Sequence, residues 1–207
     1  MQVIGAFAAP FLMLASTMAA DSPSAEARAG KGPGGDASAW WRDLGVRDLR
    51  GAPLNPRARW YVVVFLGQEC PVSNASVPVL NKLAAEFAPS GIVFIGAYVD
   101  PTADIESLRT HASDYLISFP TADDRDHRLV RVAGATYTPE VAVFSSHGAK
   151  LYLGRIDNRV GENGAVRPAA AAHQELHEVL AAIAAGSQGP FPGKPGYGCS
   201  IPEAPRQ

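Results

Sequence analysis

Hydrophobic positions along this chain follow two periods in turn. Trp60-Tyr61-Val62-Val63-Val64-Phe65-Leu66 is an unbroken β-branched and aromatic run, the pattern of a strand buried on both faces. Pro71–Ala88 then repeats at helical spacing, with Val79, Leu80, Leu83 and Phe87 on one face. Pro71 suits the first turn, where a missing N–H costs nothing. Pro78 inside the helix should kink it. Ile92–Val99 reads as a second strand opened by Gly91, Ala103–Tyr115 as a helix and Phe119–Ala122 as a short strand. Asp126–Ala133 reads as a third helix that stops at Gly134. Glu140–Ser145 and Lys150–Ile156 are then two strands joined by the turn Ser146-His147-Gly148-Ala149. Arg167–Ala185 closes the pattern as a helix with a stripe of Leu176, Val179, Leu180 and Ile183, ended by Gly186. The order β-α-β-α-β-α-β-β-α predicts an α/β fold, a mixed sheet flanked by helices on both faces.

Outside this core the periodicity lapses. Residues 1–20 carry no charge, Val3 to Met18 is mostly apolar, and small residues precede a polar turn at Asp21. This predicts a secretory signal peptide over residues 1–20, cleaved near Ala19 or Ala20, although no Lys or Arg precedes the apolar run. The stretch is short for crossing roughly 30 Å of hydrocarbon. No stable membrane insertion is therefore expected after cleavage, and the expected location is periplasmic or secreted. Residues 21–38, rich in Gly, Ala, Ser and Pro, read as a flexible linker. The folded domain is expected over residues 39–186, with Leu44–Leu54 as an entry hairpin turning at Gly51. Residues 187–207 form a Gly/Pro-rich tail that carries Cys199.

Composition narrows the function. The 207 residues suffice for one domain with a sizeable core. Net charge is −2 with both signs mixed along the chain, so no nucleic-acid partner is expected. No cofactor and no metal are expected either. His173 and His177 have ligand spacing on the last helix, but a site needs further convergent ligands, and solvent-facing histidines are the better reading. His111, His127 and His147 have no clear partner in the sequence. Asp123-Asp124-Arg125-Asp126 reads as a turn with a helix N-cap rather than a calcium loop. Arg155-Ile156-Asp157-Asn158-Arg159 reads as a salt-bridged loop edge, with a polar rim near a site as the alternative.

The chain has two cysteines, Cys70 and Cys199. Cys70 stands where the apolar strand meets a helix start. There the positive end of the helix dipole stabilises a thiolate, the nucleophilic form. The alternative is a small buried apolar cysteine. In an oxidising compartment an even pair of cysteines can form a disulfide.

Over residues 40–186 the chain resembles a thioredoxin-fold protein of the redoxin or thiol-specific-antioxidant type (AhpC/TSA-like). Four features carry the resemblance. They are the strand leading into Glu69-Cys70-Pro71-Val72-Ser73, Pro78 eight residues after the cysteine, Thr138-Pro139 before the strand Val141–Phe144, and the late hairpin with Gly154 and its closing helix. The resemblance implies a thioredoxin-like mixed sheet and a cis peptide at Thr138-Pro139. In that arrangement the backbone before the proline faces the cysteine and can pair with an incoming peptide as an added strand. Pro139, Thr138, Pro71, Ser73 and Glu69 would line the substrate groove.

The departures matter. Ser73 stands where thioredoxins carry a second cysteine, so dithiol cycling within that motif is excluded. Glu69 would oppose a thiolate by like charge, while the helix dipole favours it. Peroxiredoxins carry Thr or Ser three residues before their cysteine and a Pro further upstream. Here Gly67 holds that place and Trp60–Leu66 has no Pro. Residue 74 is Asn, so a Cys-x-x-x-Cys copper site is not matched. Cys199 is then either the resolving partner of Cys70, a permanent structural partner, or unrelated to it. About 130 residues separate the two, and closing so long a loop costs little more than closing a shorter one. The expected function is an exported thiol–disulfide oxidoreductase with Cys70 as nucleophile, resolved by Cys199, acting on a protein thiol or disulfide. The alternatives are a peroxidase using Cys70 alone and a non-enzymatic binding module with a structural disulfide.

Overall fold

The computed structural model describes residues 39–161, 164–168 and 172–204. The expected signal peptide and linker lie outside the described residues. Helix α1 (Ala39–Leu44) leads into β1 (Arg47–Asp48), β2 (Trp60–Leu66) and α2 (Pro71–Phe87). A 3₁₀ turn follows, then β3 (Ile92–Tyr98), α3 (Ile105–Asp114), β4 (Thr121–Asp123) and α4 (Arg128–Ala133). The remainder comprises β5 (Tyr137–Thr138), β6 (Glu140–Ser145), β7 (Lys150–Gly154), α5 (Glu175–Ala184) and β8 (Cys199–Ser200).

Six strands form one mixed sheet in the order β1-β4-β3-β2-β6-β7. β2 pairs parallel with β3 and antiparallel with β6, so it lies at the centre. Its side chains alternate between the faces, which explains the continuous apolar run. Val62, Val64 and Leu66 pack with Leu80 and Leu83 of α2 and with Leu176 and Leu180 of α5. Tyr61, Val63 and Phe65 pack on the other face with Trp41 of α1 and Leu129 of α4. The site cysteine is thus fixed at the end of the most deeply buried strand. α2 continues through Pro78 without a break.

Two expectations about the last third of the chain need correction. The closing helix starts at Glu175, not near Arg167. The Arg167 N–H donates to the Arg159 carbonyl and the Gly161 N–H to that of Ala165, so this loop's backbone is tied to itself rather than wound into a helix. The second hairpin strand ends at Gly154 rather than Ile156, because the tail takes over there: the Arg155 N–H donates to the Lys194 carbonyl at 3.0 Å. The Phe191 N–H donates to the Leu151 carbonyl at 2.7 Å. A Cβ at Gly193 would sit 1.7 Å from the Leu153 carbonyl oxygen. The tail glycines therefore serve close backbone approach. From here the tail reaches β5 and pairs with it as β8, in a separate two-stranded sheet.

Candidate active site

Cys70 is the N-cap of α2 and is 2% exposed. Its backbone is extended, and its sulfur accepts the Ser73 N–H at 3.4 Å. As a thiol it donates to the Thr138 carbonyl at 3.1 Å. Ser73, in the place of the missing second cysteine, is buried, and its Oγ receives the Gly67 N–H at 3.4 Å. Gly67 has a steric reason: a Cβ there would lie 2.8 Å from Thr138 Oγ1 and 3.1 Å from the Cys70 Cβ. The Thr138-Pro139 peptide is cis, as the resemblance implies.

The tail completes the site. β8 pairs antiparallel with β5 in a register that sets Thr138 opposite Cys199 and Tyr137 opposite Ser200. The Ile201 N–H extends the pairing to the Thr136 carbonyl at 3.0 Å. Both cysteines are thiols here, Cys70 buried and Cys199 exposed. Burial is the largest single influence on Cys70 and opposes its charge. Hydrogen bonds from the Cys199 thiol, from Thr138, and from the Ser73 and Cys199 amides together outweigh it, so Cys70 titrates below the ordinary thiol value. Cys199 is pushed up to about 11, first by donating to Cys70 and then by burial. The two thiols are thus unequal: their contacts favour ionisation at Cys70 and oppose it at Cys199.

Of the groove residues expected from the sequence, Thr138, Pro139, Pro71 and Ser73 gather around Cys70. Glu69 is exposed, and its negative charge raises the affinity of His111 for a proton. At Cys70 the opposing influences are burial and the hydrogen bonds from Cys199, Thr138 and Ser73, and Glu69 is not among them.

His111, without a partner in the sequence reading, is buried and fully bonded. Tyr98 Oη–H donates to its Nδ1 at 2.7 Å, and its Nε2–H donates to Asn74 Oδ1 at 2.9 Å. Asn74 Nδ2 donates in turn to the Gln68 carbonyl at 3.0 Å, holding the loop that precedes Cys70. Burial holds His111 below the usual histidine value, against the charges of Glu69 and Asp114. The native state then binds fewer protons than the unfolded chain as pH falls below about 6.5, and stability is lost in that direction. Between pH 7.5 and 5 the urea unfolding midpoint is expected to fall relative to that of His111→Gln, while Asp124, pushed up to about 6 by burial, acts in the opposite sense in both proteins. Equal slopes in the two proteins would contradict this assignment.

The other polar motifs are structural. Asp124 accepts the Leu129 and Val130 N–H groups at 2.9 and 3.0 Å at the start of α4, as the turn-and-cap reading expects. His127 Nε2 donates to the Val99 carbonyl at 2.6 Å. Arg155 pairs with Glu175, and Arg159 with Asp157 at 2.7 Å. The segment is thus a salt-bridged edge, and Arg155, Asp157 and Arg159 also line a cavity of about 370 Å³ beside Pro71 and Pro139. His177 bonds to Glu86 at 2.9 Å. Among the described residues no three His, Cys, Asp or Glu side chains converge as a metal site. No described helix is long and apolar enough to cross a membrane.

Comparison with known proteins places the fold. The family model described as the AhpC/TSA family matches residues 43–151, a span that includes Cys70 and Thr138-Pro139 and stops short of Cys199. No curated protein matches the chain. Among solved structures, an uncharacterized conserved protein from Geobacillus kaustophilus is similar, with a TM-score of 0.67 and 22% identity over 79% of this chain and 89% of that one. A hypothetical protein from Sinorhizobium meliloti superposes with a TM-score of 0.62 and 20% identity over 75% and 88%. MTB DsbF, solved in mixed oxidized and reduced forms, gives 0.51 and 19% over 67% and 92%. The fold is thioredoxin-like.

Proposed function

We propose that this chain, which belongs to the AhpC/TSA family, is an exported thiol–disulfide oxidoreductase whose working pair is Cys70 and Cys199. The observation that carries the reading is the register of the tail, which sets Cys199 opposite Thr138 and its thiol on the Cys70 sulfur. Export is supported by the uncharged apolar residues 1–20, read as a signal peptide ahead of a linker, a domain over residues 39–186 and a cysteine-bearing tail. A periplasmic or secreted location follows from that.

The Cys70 thiolate attacks one sulfur of a partner protein's disulfide. A bond forms between Cys70 and that sulfur, the partner's S–S bond breaks, and its other sulfur leaves as a thiolate. Cys70 no longer carries charge in this mixed disulfide. The interaction that held the proton on Cys199 is then gone, so Cys199 ionises more readily. It attacks the Cys70 sulfur and releases the partner's second thiolate. The products are a Cys70–Cys199 disulfide and a partner reduced by two electrons. The same steps in reverse oxidise a partner dithiol. A thiol reductant or an oxidant in the compartment resets the pair.

The test is a pair of turnover assays on the purified protein. Reduction of insulin disulfides by a dithiol should be accelerated, and hydrogen peroxide should be consumed no faster than by an ordinary thiol. Rapid peroxide turnover without disulfide exchange would replace this reading with the peroxidase one. Inertness in both assays would favour the binding module.

A further inference from the structure

β5 is a short edge beside the reactive cysteine, and in this chain it is already taken. The occupant is the chain's own tail, which lies on β5 as a bound strand would, with a cysteine opposite Thr138. The tail therefore records which sequence that edge accepts. Gly198 is the position pressed against β5: a Cβ would lie 1.8 Å from the Thr138 carbonyl oxygen and 3.3 Å from Pro139 Cδ. Its backbone is outside the left-handed region, so close approach alone demands glycine. On the far side of the cysteine, Ile201 is partly buried against the core cluster that contains Tyr61 and Phe144. On the near side, Tyr197 borders the cavity of about 370 Å³, whose other walls include Val72, Pro139, Ile156 and Val166. Arg155 and Arg159 at that cavity's edge are held by Glu175 and Asp157, so it offers apolar surface to an entering side chain.

We propose that the β5 edge, where the resemblance already implies peptide pairing, selects a partner segment of the pattern apolar–Gly–Cys–x–apolar, and that the tail is a resident copy of that segment, which yields the edge while the partner's disulfide is attacked and returns to it when Cys199 resolves the mixed disulfide. The proposal rests on the exchange reading above and specifies its substrate class. Glycine before the partner's cysteine is the strict element, because the Thr138 carbonyl leaves no room for a side chain. The two apolar positions fill the cavity and the Ile201 seat. A partner segment lacking glycine would pair with β5 only by moving the backbone away from Cys70, which takes its sulfur out of line for attack.

The experiment uses the full chain as Cys199→Ser, so that Cys70 is the only thiol. The probe is a six-residue peptide with the sequence of residues 197–202, its cysteine activated as the mixed disulfide with 2-nitro-5-thiobenzoate. A second peptide has alanine in place of the glycine. Attack by Cys70 forms the Cys70–peptide disulfide and releases the coloured thiolate, which is followed by absorbance. The expected result is a second-order rate at least tenfold higher for the glycine peptide. In the double variant Gly198→Ala, Cys199→Ser the resident strand is undocked, so the glycine peptide should react faster still while the preference for glycine persists. Equal rates for the two peptides, with Cys70 still reacting with the free aromatic disulfide reagent, would overturn the docking proposal and leave the exchange reading standing. A Cys70 inert to both peptides and to that reagent would overturn both.

Discussion

Cys70→Ser is expected to lower disulfide-exchange turnover by a factor on the order of 10⁴, the scale on which loss of a nucleophile acts. The substitution keeps the N-cap, since a serine oxygen accepts the Ser73 N–H as the sulfur does. The fold should therefore survive, and the loss should be chemical. Cys199→Ser separates the two halves of the reaction. Cys70 still attacks, but nothing on the chain resolves the product, so a mixed disulfide with the substrate should accumulate to stoichiometric amounts. Intact-mass analysis of non-reduced samples checks both variants. Turnover near the original rate in Cys70→Ser would remove the nucleophile assignment. Full turnover in Cys199→Ser would show that resolution comes from elsewhere.

The second large effect is expected at a residue with no chemistry of its own. Gly198→Ala places a methyl group where the structure leaves 1.8 Å to a backbone oxygen that Pro139 and β5 hold in place. The tail must yield. β8 detaches from β5, and Cys199 loses its position opposite Thr138. Displacement of a reacting group by about 1 Å can cost on the order of a hundredfold in rate. Closure of the Cys70–Cys199 disulfide should slow by about that factor. The melting temperature should fall only modestly, because β8 is a two-residue strand and Ile201 beside it is only partly buried. The Cys70 thiol should also rise toward its ordinary value as the donors from Cys199 are withdrawn. Stopped-flow reoxidation with a small disulfide, alongside thermal unfolding, checks both parts. Unchanged closure would mean that strand pairing does not make the cysteine pair.

The central layers of the fold were legible from the sequence because they rest on local periodicity. Trp60–Leu66 reads as a doubly buried strand since every residue has a core to enter. Cys70-Pro71 reads as a helix start because proline at the first turn and a capping side chain are local signals. Thr138-Pro139 was recognisable through the resemblance alone, since an X-Pro pair does not declare its isomer. The rest of the site depends on long-range register. β5 and β8 are two residues each, too short for any period to register. In the sequence the tail reads only as Gly/Pro-rich, whereas in the structure backbone from elsewhere in the chain lies against Gly193 and Gly198 and leaves no room for a side chain. The pairing of Cys199 with Cys70 stayed open for the same reason. His111 meets Asn74 across 37 positions and Tyr98 across 13, so its network has no signature in either segment. The late start of α5 follows from loop hydrogen bonds that sequence spacing does not encode.

The measurement that bears most directly on the account is the reduction potential of the Cys70–Cys199 pair. The oxidised protein would be equilibrated in graded thiol–disulfide buffers, quenched by alkylation and read by mass spectrometry. A catalytic pair should form one intramolecular disulfide with a midpoint between about −120 and −270 mV, the range of exchange proteins. A midpoint below about −300 mV would mark a structural staple, and two alkylated thiols under every condition would mean that no pair exists. Either result would contradict the assignment of Cys70 and Cys199 as a working redox couple.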